Sequence, residues 1–291
     1  MSPEPRAPAE IRTAILLTHT HPEQTSAVLP EALAAAETAD CRLVAPKSEF
    51  EKHGSAAAGY EAEASLEGKP DLCLVLGGDG SILQALRRFA GSGVPVFGIN
   101  YGTIGFLAVS EPAELDAALK RAFSGDFDVM PLPGLEIDLD LDRPVALNDI
   151  SFTRRPHGRV AELSYTLGGE ELGHVRCDGL VAATPAGSTG YNLANSGPIL
   201  AWGVEGYVVS FISPHTLTAR ALVAAPSDTL HVANASGRDA VDIALDGAPA
   251  GQLESGGDAE VHFRDGLGAL AQMPGSSFYR RMHEKFGRLA Q

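Results

Sequence analysis

The string with the most chemical content is Gly77-Gly78-Asp79-Gly80. Glycines at 77, 78 and 80 let the backbone turn tightly and let a phosphate approach peptide N–H groups without meeting a Cβ. The string follows the apolar run at 71–76. It precedes Ile82, Leu83, Leu86 and Phe89, whose spacing predicts an amphipathic helix opened by Ser81. Such a strand-to-helix junction aims unpaired N–H groups outward from the positive end of a helix dipole, which makes an anion site. Asp79 is the anomaly there. A carboxylate among phosphate-attracting groups either binds a metal ion, orients a hydroxyl, or merely caps the helix.

Other segments carry weaker signals. Residues 98–107 hold Gly98, Gly102 and Gly105 after the next expected strand, so two glycine-rich strand ends are expected to border one cleft. Asn148 and Asp149 lie in an apolar β segment, where adjacent residues face opposite sides. Such acceptors suit the paired hydroxyls of a ribose, while a turn or sheet edge is the plainer account. Residues 184–198 gather Ser, Thr and Gly around Tyr191, whose ring could face a base; the alternative is an ordinary long loop. Arg154, Arg155 and Arg159 form a local cationic patch with His157 that could hold phosphates, with Arg154 and Arg155 reading as a solvated strand end. Arg176 and Asp178 flank Cys177 and could pair with each other. His19 and His21 lack a third ligand and read as surface histidines, so no metal site is expected. His215 reads as a turn residue, and Asp246-Gly247 as a hairpin turn.

The elements that would position these residues fall into two textures. Apolar runs at 14–17, 41–45, 71–76 and 94–99 alternate with helical stretches at 22–39, 82–89 and 111–123, and residues 46–70 read as loop plus a weak helix. That alternation predicts a doubly wound, Rossmann-like α/β domain over residues 1–126, behind a frayed tail of about ten residues. From residue 127 the chain shows period-two alternation and short runs at 136–141, 147–152, 160–167, 179–183, 207–212, 230–233, 241–245 and 259–263. These predict an all-β, sandwich-like domain over 127–274. Phe278, Met282, Phe286 and Leu289 stripe a terminal helix, 275–291, expected to pack back on the first domain.

Composition narrows the partners. A formal net charge of −15 argues against nucleic acid and against anionic membranes. No apolar run approaches the about 18 residues of a membrane span. The three cysteines, Cys41, Cys73 and Cys177, are widely spaced, which fits a reducing cytoplasm.

In order, GGDGSILQAL, GINYGTIGFL, ALNDISF, RCDGLVAATPAGSTGYNLANSGPIL, SPHTLTAR and ALDG resemble the NAD kinase family, across about residues 72–286. The resemblance implies an N-terminal α/β domain, a C-terminal β-sandwich and a returning terminal helix. It implies transfer of the γ-phosphoryl of ATP, or of polyphosphate in some members, to the 2′-hydroxyl of the adenosine ribose of NAD. Mg²⁺ or another divalent cation would assist, in a homodimer or homotetramer. By position, it implies Asp79 as the catalytic aspartate with Gly80 as its nucleotide-contacting neighbour. Asn148 and Asp149 would hold the dinucleotide, with Arg159, Arg176, Asp178, Thr189, Gly190, Tyr191, Asn192, Leu193 and Ala194 as further binding positions. At position 176 some relatives carry Arg and others Gly, and the resemblance implies that Arg176 weakly favours NAD alone, with acceptance of NADH left open. The chain departs from the family at Gln84, where many relatives are basic, at Gly190-Tyr191-Asn192 in place of Ala-Tyr-Ser, and at Ala248 in place of Gln. The alternatives are another GGDG kinase, of the lipid kinase or phosphofructokinase kind, or a non-catalytic NAD-sensing protein. The former have no counterpart to residues 184–198.

Overall fold

The run Leu72–Gly77 carries no charge, and every one of its six residues is buried, as a strand covered on both faces requires. In the computed structural model of the chain this run is the middle of a parallel sheet. The structure describes residues 10–57, 59–102, 105–141 and 144–287. Leu289, Thr103, Ile104 and all but Glu10 of the expected tail lie outside them.

The described chain forms two units, one of residues 1–131 with 268–291 and the other of 132–267. In the first, the elements are β1 (Thr13–Thr18), α1 (Leu29–Thr38), β2 (Arg42–Ala45), α2 (Lys47–His53), β3 (Glu61–Ala62), β4 (Leu72–Gly77), α3 (Asp79–Arg88), β5 (Val96–Asn100) and α4 (Leu115–Ser124). Then come β6 (Asp128–Ile137), β7 (Val145–Ala146), β8 (Asp149–Arg154), β9 (Ala161–Leu167), β10 (Glu170–Cys177), β11 (Gly179–Ala183) and α5 (Tyr191–Ala194). The rest are β12 (Tyr207–Ile212), β13 (Leu222–Ala224), β14 (Leu230–Asn234), β15 (Val241–Leu245), β16 (Ala248–Leu253), β17 (Asp258–Gln272) and α6 (Phe278–Phe286).

The first unit's sheet runs β5-β4-β1-β2-β3, all parallel, with the end of β17 pairing β5 at Leu270. Leu72, Leu74 and Leu76 pack with Leu29 and Ala32 of α1 and with Leu119 and Phe123 of α4. Ile82 of α3 sits over Gly98. The two stretches expected as long helices each begin instead as short 3-10 turns, at Pro22–Gln24 and Pro112–Glu114. A proline fixes the opening φ in each, and the α-helix starts later. Residues 47–53 form a true helix, and α3 starts at Asp79, two residues before Ser81.

The second unit is a sandwich. One sheet runs β10-β9-β14-β17, and the other runs β13-β12-β11-β8-β15-β16, every pair antiparallel. Leu163, Leu230 and Val261 of one meet Phe152, Leu180, Tyr207 and Ile243 of the other. Alternation then places Val181 and Ala183 on the outer face, where Leu200 and Val208 cover them. The first expected run of this unit, 136–141, is corrected. Strand β6 ends at Ile137, and Leu139 and Leu141 donate backbone N–H bonds to Ile137 and Leu139 carbonyls only two residues back, which curls the chain out of the sheet.

All three cysteines are unpaired and buried, and burial pushes the thiols of Cys41 and Cys177 up to about 11 and that of Cys73 higher still.

Candidate active site

In the first unit, adjacent parallel strands bring both glycine-rich ends together. Gly77 pairs with Asn100 in register, and Tyr101 N–H donates to the Gly77 carbonyl at 3.2 Å. Asp79 opens α3, where a negative side chain complements the helix dipole. Its carboxylate does not cap that helix. It accepts instead from the segment that follows β5, with Phe106 N–H on Oδ2 at 2.6 Å and Leu107 N–H on Oδ1 at 3.0 Å. Gly105 is obligatory for this contact, since a Cβ there would lie 1.9 Å from Asp79 Oδ1. Gly80 is open, with nothing within 4 Å of where a Cβ would project.

Residues 105–108 are also gripped from the other side. Arg281 of α6 donates through Nη1 to the carbonyls of Phe106 and Ala108, both at 2.6 Å, and through Nη2 to Gln272 Oε1 at 2.6 Å. The Phe106 ring stacks near Phe278 and Phe286, with Lys285 Nζ 4.4 Å from its centroid. Burial lowers the Arg281 pKa from its ordinary value, while the Asp79 and Glu284 carboxylates oppose that shift.

In the second unit, Asn148 lies in the turn before β8, so only Asp149 belongs to the strand. The turn is organised by Asp246, whose carboxylate accepts from the backbone N–H groups of Leu147 (3.0 Å), Asn148 (2.6 Å) and Asp149 (3.1 Å). Asp246 sits at φ 51 in the tight turn between β15 and β16, a backbone region that Asp tolerates. Asp149 is buried, and burial, reinforced by the Asp246 charge, raises its carboxyl to about 7.

Residues 184–204 seat themselves against this turn. Thr184 Oγ1 donates to the Leu147 carbonyl at 2.7 Å and accepts from Gly187 N–H at 3.0 Å. A Cβ on Gly187 would lie 2.0 Å from the Asn148 carbonyl oxygen, so the two segments touch backbone to backbone. The stretch contains a 3-10 turn, Gly187–Thr189, and α5. Asn192 is internal: its Nδ2 donates to the carbonyls of Ser188 and Pro198. Tyr191 is 40% exposed, and burial of its remainder with the Asp149 and Asp178 charges raises its hydroxyl pKa. Thr189 and Leu193 are half-buried, and Gly190 and Ala194 are exposed.

A cleft of about 980 Å³ in the second unit gathers Arg154, Arg159, Arg176, Asp178, His215 and Arg238. The expected Arg176–Asp178 pair does not form. Arg154 Nε donates to Asp178 at 2.5 Å from β8, and Arg176 pairs with Glu162 at 3.2 Å across the β9–β10 ladder. A residue directly across the ladder offers Arg176 a closer partner than one two positions along the chain, beyond the end of β10. Arg154 is accordingly half-buried rather than a solvated end, and Arg155 is exposed. His19 and His21 stack on each other at 5.4 Å at the surface end of β1. Sequence reasoning missed Arg281 altogether, and it took Asp246 for a turn residue without a target.

A glycine turn at the end of a parallel strand, feeding a helix that opens on a carboxylate, is the arrangement of a nucleotide-binding α/β domain, and this chain adds a β-sandwich to it. Residues 12–127 match the ATP-NAD kinase N-terminal domain, and residues 147–267 match the ATP-NAD kinase C-terminal domain. The chain belongs to the NAD kinase family. It is 39% identical to the NAD kinase of Rhodopirellula baltica over 75% of this chain and 71% of that one. It is 34% identical to that of Symbiobacterium thermophilum over 75% and 79%. Among solved structures it is similar to yeast NADH kinase complexed with NADH, with a TM-score of 0.83, 21% identity, and coverage of 97% of this chain and 91% of that one. It is also similar in fold to an NAD kinase from Archaeoglobus fulgidus in complex with ATP, at TM-score 0.71 and 21% identity over 95% and 98%.

Proposed function

We propose that the protein transfers the γ-phosphoryl of ATP to the 2′-hydroxyl of the adenosine ribose of NAD, and that Asp79 is the residue that orients this hydroxyl and takes its proton. The observation that carries the role is the seating of Asp79: a carboxylate at a glycine turn, held by two backbone N–H groups that fix its direction. A phosphoryl transition state is loose, so an oriented carboxylate matters more than a strong base. Gly77, Gly78 and Gly80 form the phosphate cradle at the start of α3.

Asn148 and Asp149 bind ribose hydroxyls of the dinucleotide. Thr189, Gly190, Tyr191, Asn192, Leu193 and Ala194 form its second wall, with the Tyr191 ring as stacking face and Asn192 as the internal brace. Arg159, Arg176 and Asp178 bind at the cleft rim. Among the described residues no three His, Cys, Asp or Glu side chains gather into a cation cage. Mg²⁺ enters as part of the MgATP substrate, where it neutralises phosphate charge in a protein of net charge −15. The protein works in the cytoplasm as a homodimer or homotetramer. Among the described residues no helix is long and apolar enough to cross a membrane.

Incubation of the purified protein with NAD, ATP and Mg²⁺ tests the reading. NADP formation at a rate proportional to enzyme supports it. Binding of NAD without product marks a sensor, and labelling of lipid or sugar phosphate alone marks another GGDG kinase. Parallel reactions with NADH and with polyphosphate fix the acceptor and donor range, and sedimentation fixes the oligomer.

A further inference from the structure

We propose that Arg281, on the terminal helix, is a positioning residue for phosphoryl transfer: it fixes the backbone at 105–108, whose amides in turn set the Asp79 carboxylate. The inference rests on the reading of Asp79 given above.

The geometry is a sandwich of opposite charges around one short segment. On one side the Asp79 carboxylate takes the N–H groups of Phe106 and Leu107. On the other, one nitrogen of the guanidinium donates to the carbonyls of Phe106 and Ala108. The peptide joining Phe106 to Leu107 is held at both ends, its carbonyl by the guanidinium and its N–H by the carboxylate, so its dipole runs from one charge to the other and each bond polarises the next. The guanidinium is itself fixed, because Nη2 donates to Gln272 Oε1 at the end of β17 and both Nε and Nη2 reach Ser276 Oγ at 3.4 and 3.3 Å. A planar fork with several donors can hold two carbonyls and an amide at once, which an ammonium on a flexible stem does poorly.

Docking of α6 does not depend on Arg281 alone. Phe278 is buried, and the rings of Phe278 and Phe286 hold the Phe106 ring. Removing the guanidinium therefore frees the 105–108 carbonyls while the aromatic contacts keep the helix in place. The carboxylate then loses its reference. A misplacement of about 1 Å costs on the order of 10²-fold in rate.

The experiment measures NADP formation by the full-length chain at saturating MgATP with NAD varied, for Arg281→Met, Arg281→Lys and Asp79→Asn. Arg281→Met is expected to lower kcat about 30- to 100-fold while KM for NAD stays within about threefold. Arg281→Lys falls between the wild type and Arg281→Met, and guanidinium ion at sub-denaturing concentration restores part of the Arg281→Met rate. A general structural lesion would raise KM and would not respond to guanidinium. The proposal is overturned if Arg281→Met keeps kcat within about twofold, if its defect lies in KM, or if neither lysine nor guanidinium recovers any rate. Should circular dichroism show Arg281→Met unfolded, Arg281→Lys decides: a kcat equal to wild type overturns the proposal, and a lowered kcat at unchanged KM supports it. Asp79→Asn separates the two claims. If it retains turnover, the reading of Asp79 fails; if it loses turnover while Arg281→Met does not, only the role of Arg281 fails.

Discussion

Asp79 and Asp149 each stand beside a turn at the end of a strand, one in each unit, and the backbone serves them differently. Asp79 receives two N–H groups from a facing segment and an arginine behind that segment. Around Asp149 the nearby amides, its own included, go to Asp246. Among the described residues no group donates to the Asp149 carboxylate, which is left buried beside a like charge. A carboxylate supplied with fixed donors stays where it is put and can aim a reacting hydroxyl. A carboxylate deprived of donors is stabilised by a ligand that brings its own, as a ribose does. On the proposed reading, the same side chain takes an orienting role in one unit and a binding role in the other.

The comparison breaks first at Asp79. Asp79→Asn is expected to lower kcat by about 10²- to 10⁴-fold, with KM for NAD little changed. Steady-state kinetics at fixed MgATP check this, and an unaltered kcat would remove Asp79 from the chemistry. Gly105→Ala comes next. Its Cβ would sit 1.9 Å from Asp79 Oδ1, so the carboxylate must move, and kcat should drop about 10²-fold in a protein that still binds NAD by calorimetry.

Asp149 gives the smaller and more diagnostic effect, because its signature is a pH dependence. Its carboxyl rises from an ordinary 3.8 to about 7 on folding. Between those values the folded chain holds a proton that the unfolded chain has released. Stability from this group is therefore lost as pH rises through the window, and the loss is complete above about 7. Asp149→Asn, which never ionises, should melt about 5 °C or more above wild type at pH 8 and level with it at pH 4. Binding runs the other way. In the wild type, KM for NAD should climb as pH falls below about 7 and the carboxylate is neutralised, whereas Asp149→Asn should show a high, pH-independent KM. Equal melting points at pH 8 would show that Asp149 carries no charge penalty.

Much of the architecture was legible because it is written in local pattern. The run at 71–76 announced a doubly covered strand, and strands 179–183, 207–212 and 241–245 fell where short runs between turn residues placed them. The proline-opened stretches were less legible, since propensity does not separate a 3-10 turn from the first turn of an α-helix. The glycine motif pointed to an anion site, and the meeting of two glycine-rich strand ends followed from parallel winding. What holds Asp79 was not legible. Its donors are backbone amides 27 and 28 residues away, and Arg281 is a further 173 to 175 residues beyond the carbonyls it grips. Backbone groups are the same at every position, so no residue type flags them. Asp246 was visible only as turn chemistry, because its targets lie 97 to 99 positions earlier.

The three sheltered thiols make the molecule its own reporter. Cys41 and Cys73 belong to the α/β unit and Cys177 to the sandwich, and each is buried as an inert thiol. A thiol-directed reagent can modify them only when the surrounding unit opens. Pulsed alkylation followed by peptide mass mapping would thus time the breathing of each half separately, with no cysteine introduced. Dinucleotide should slow modification at position 177, while a triphosphate should slow it at 73.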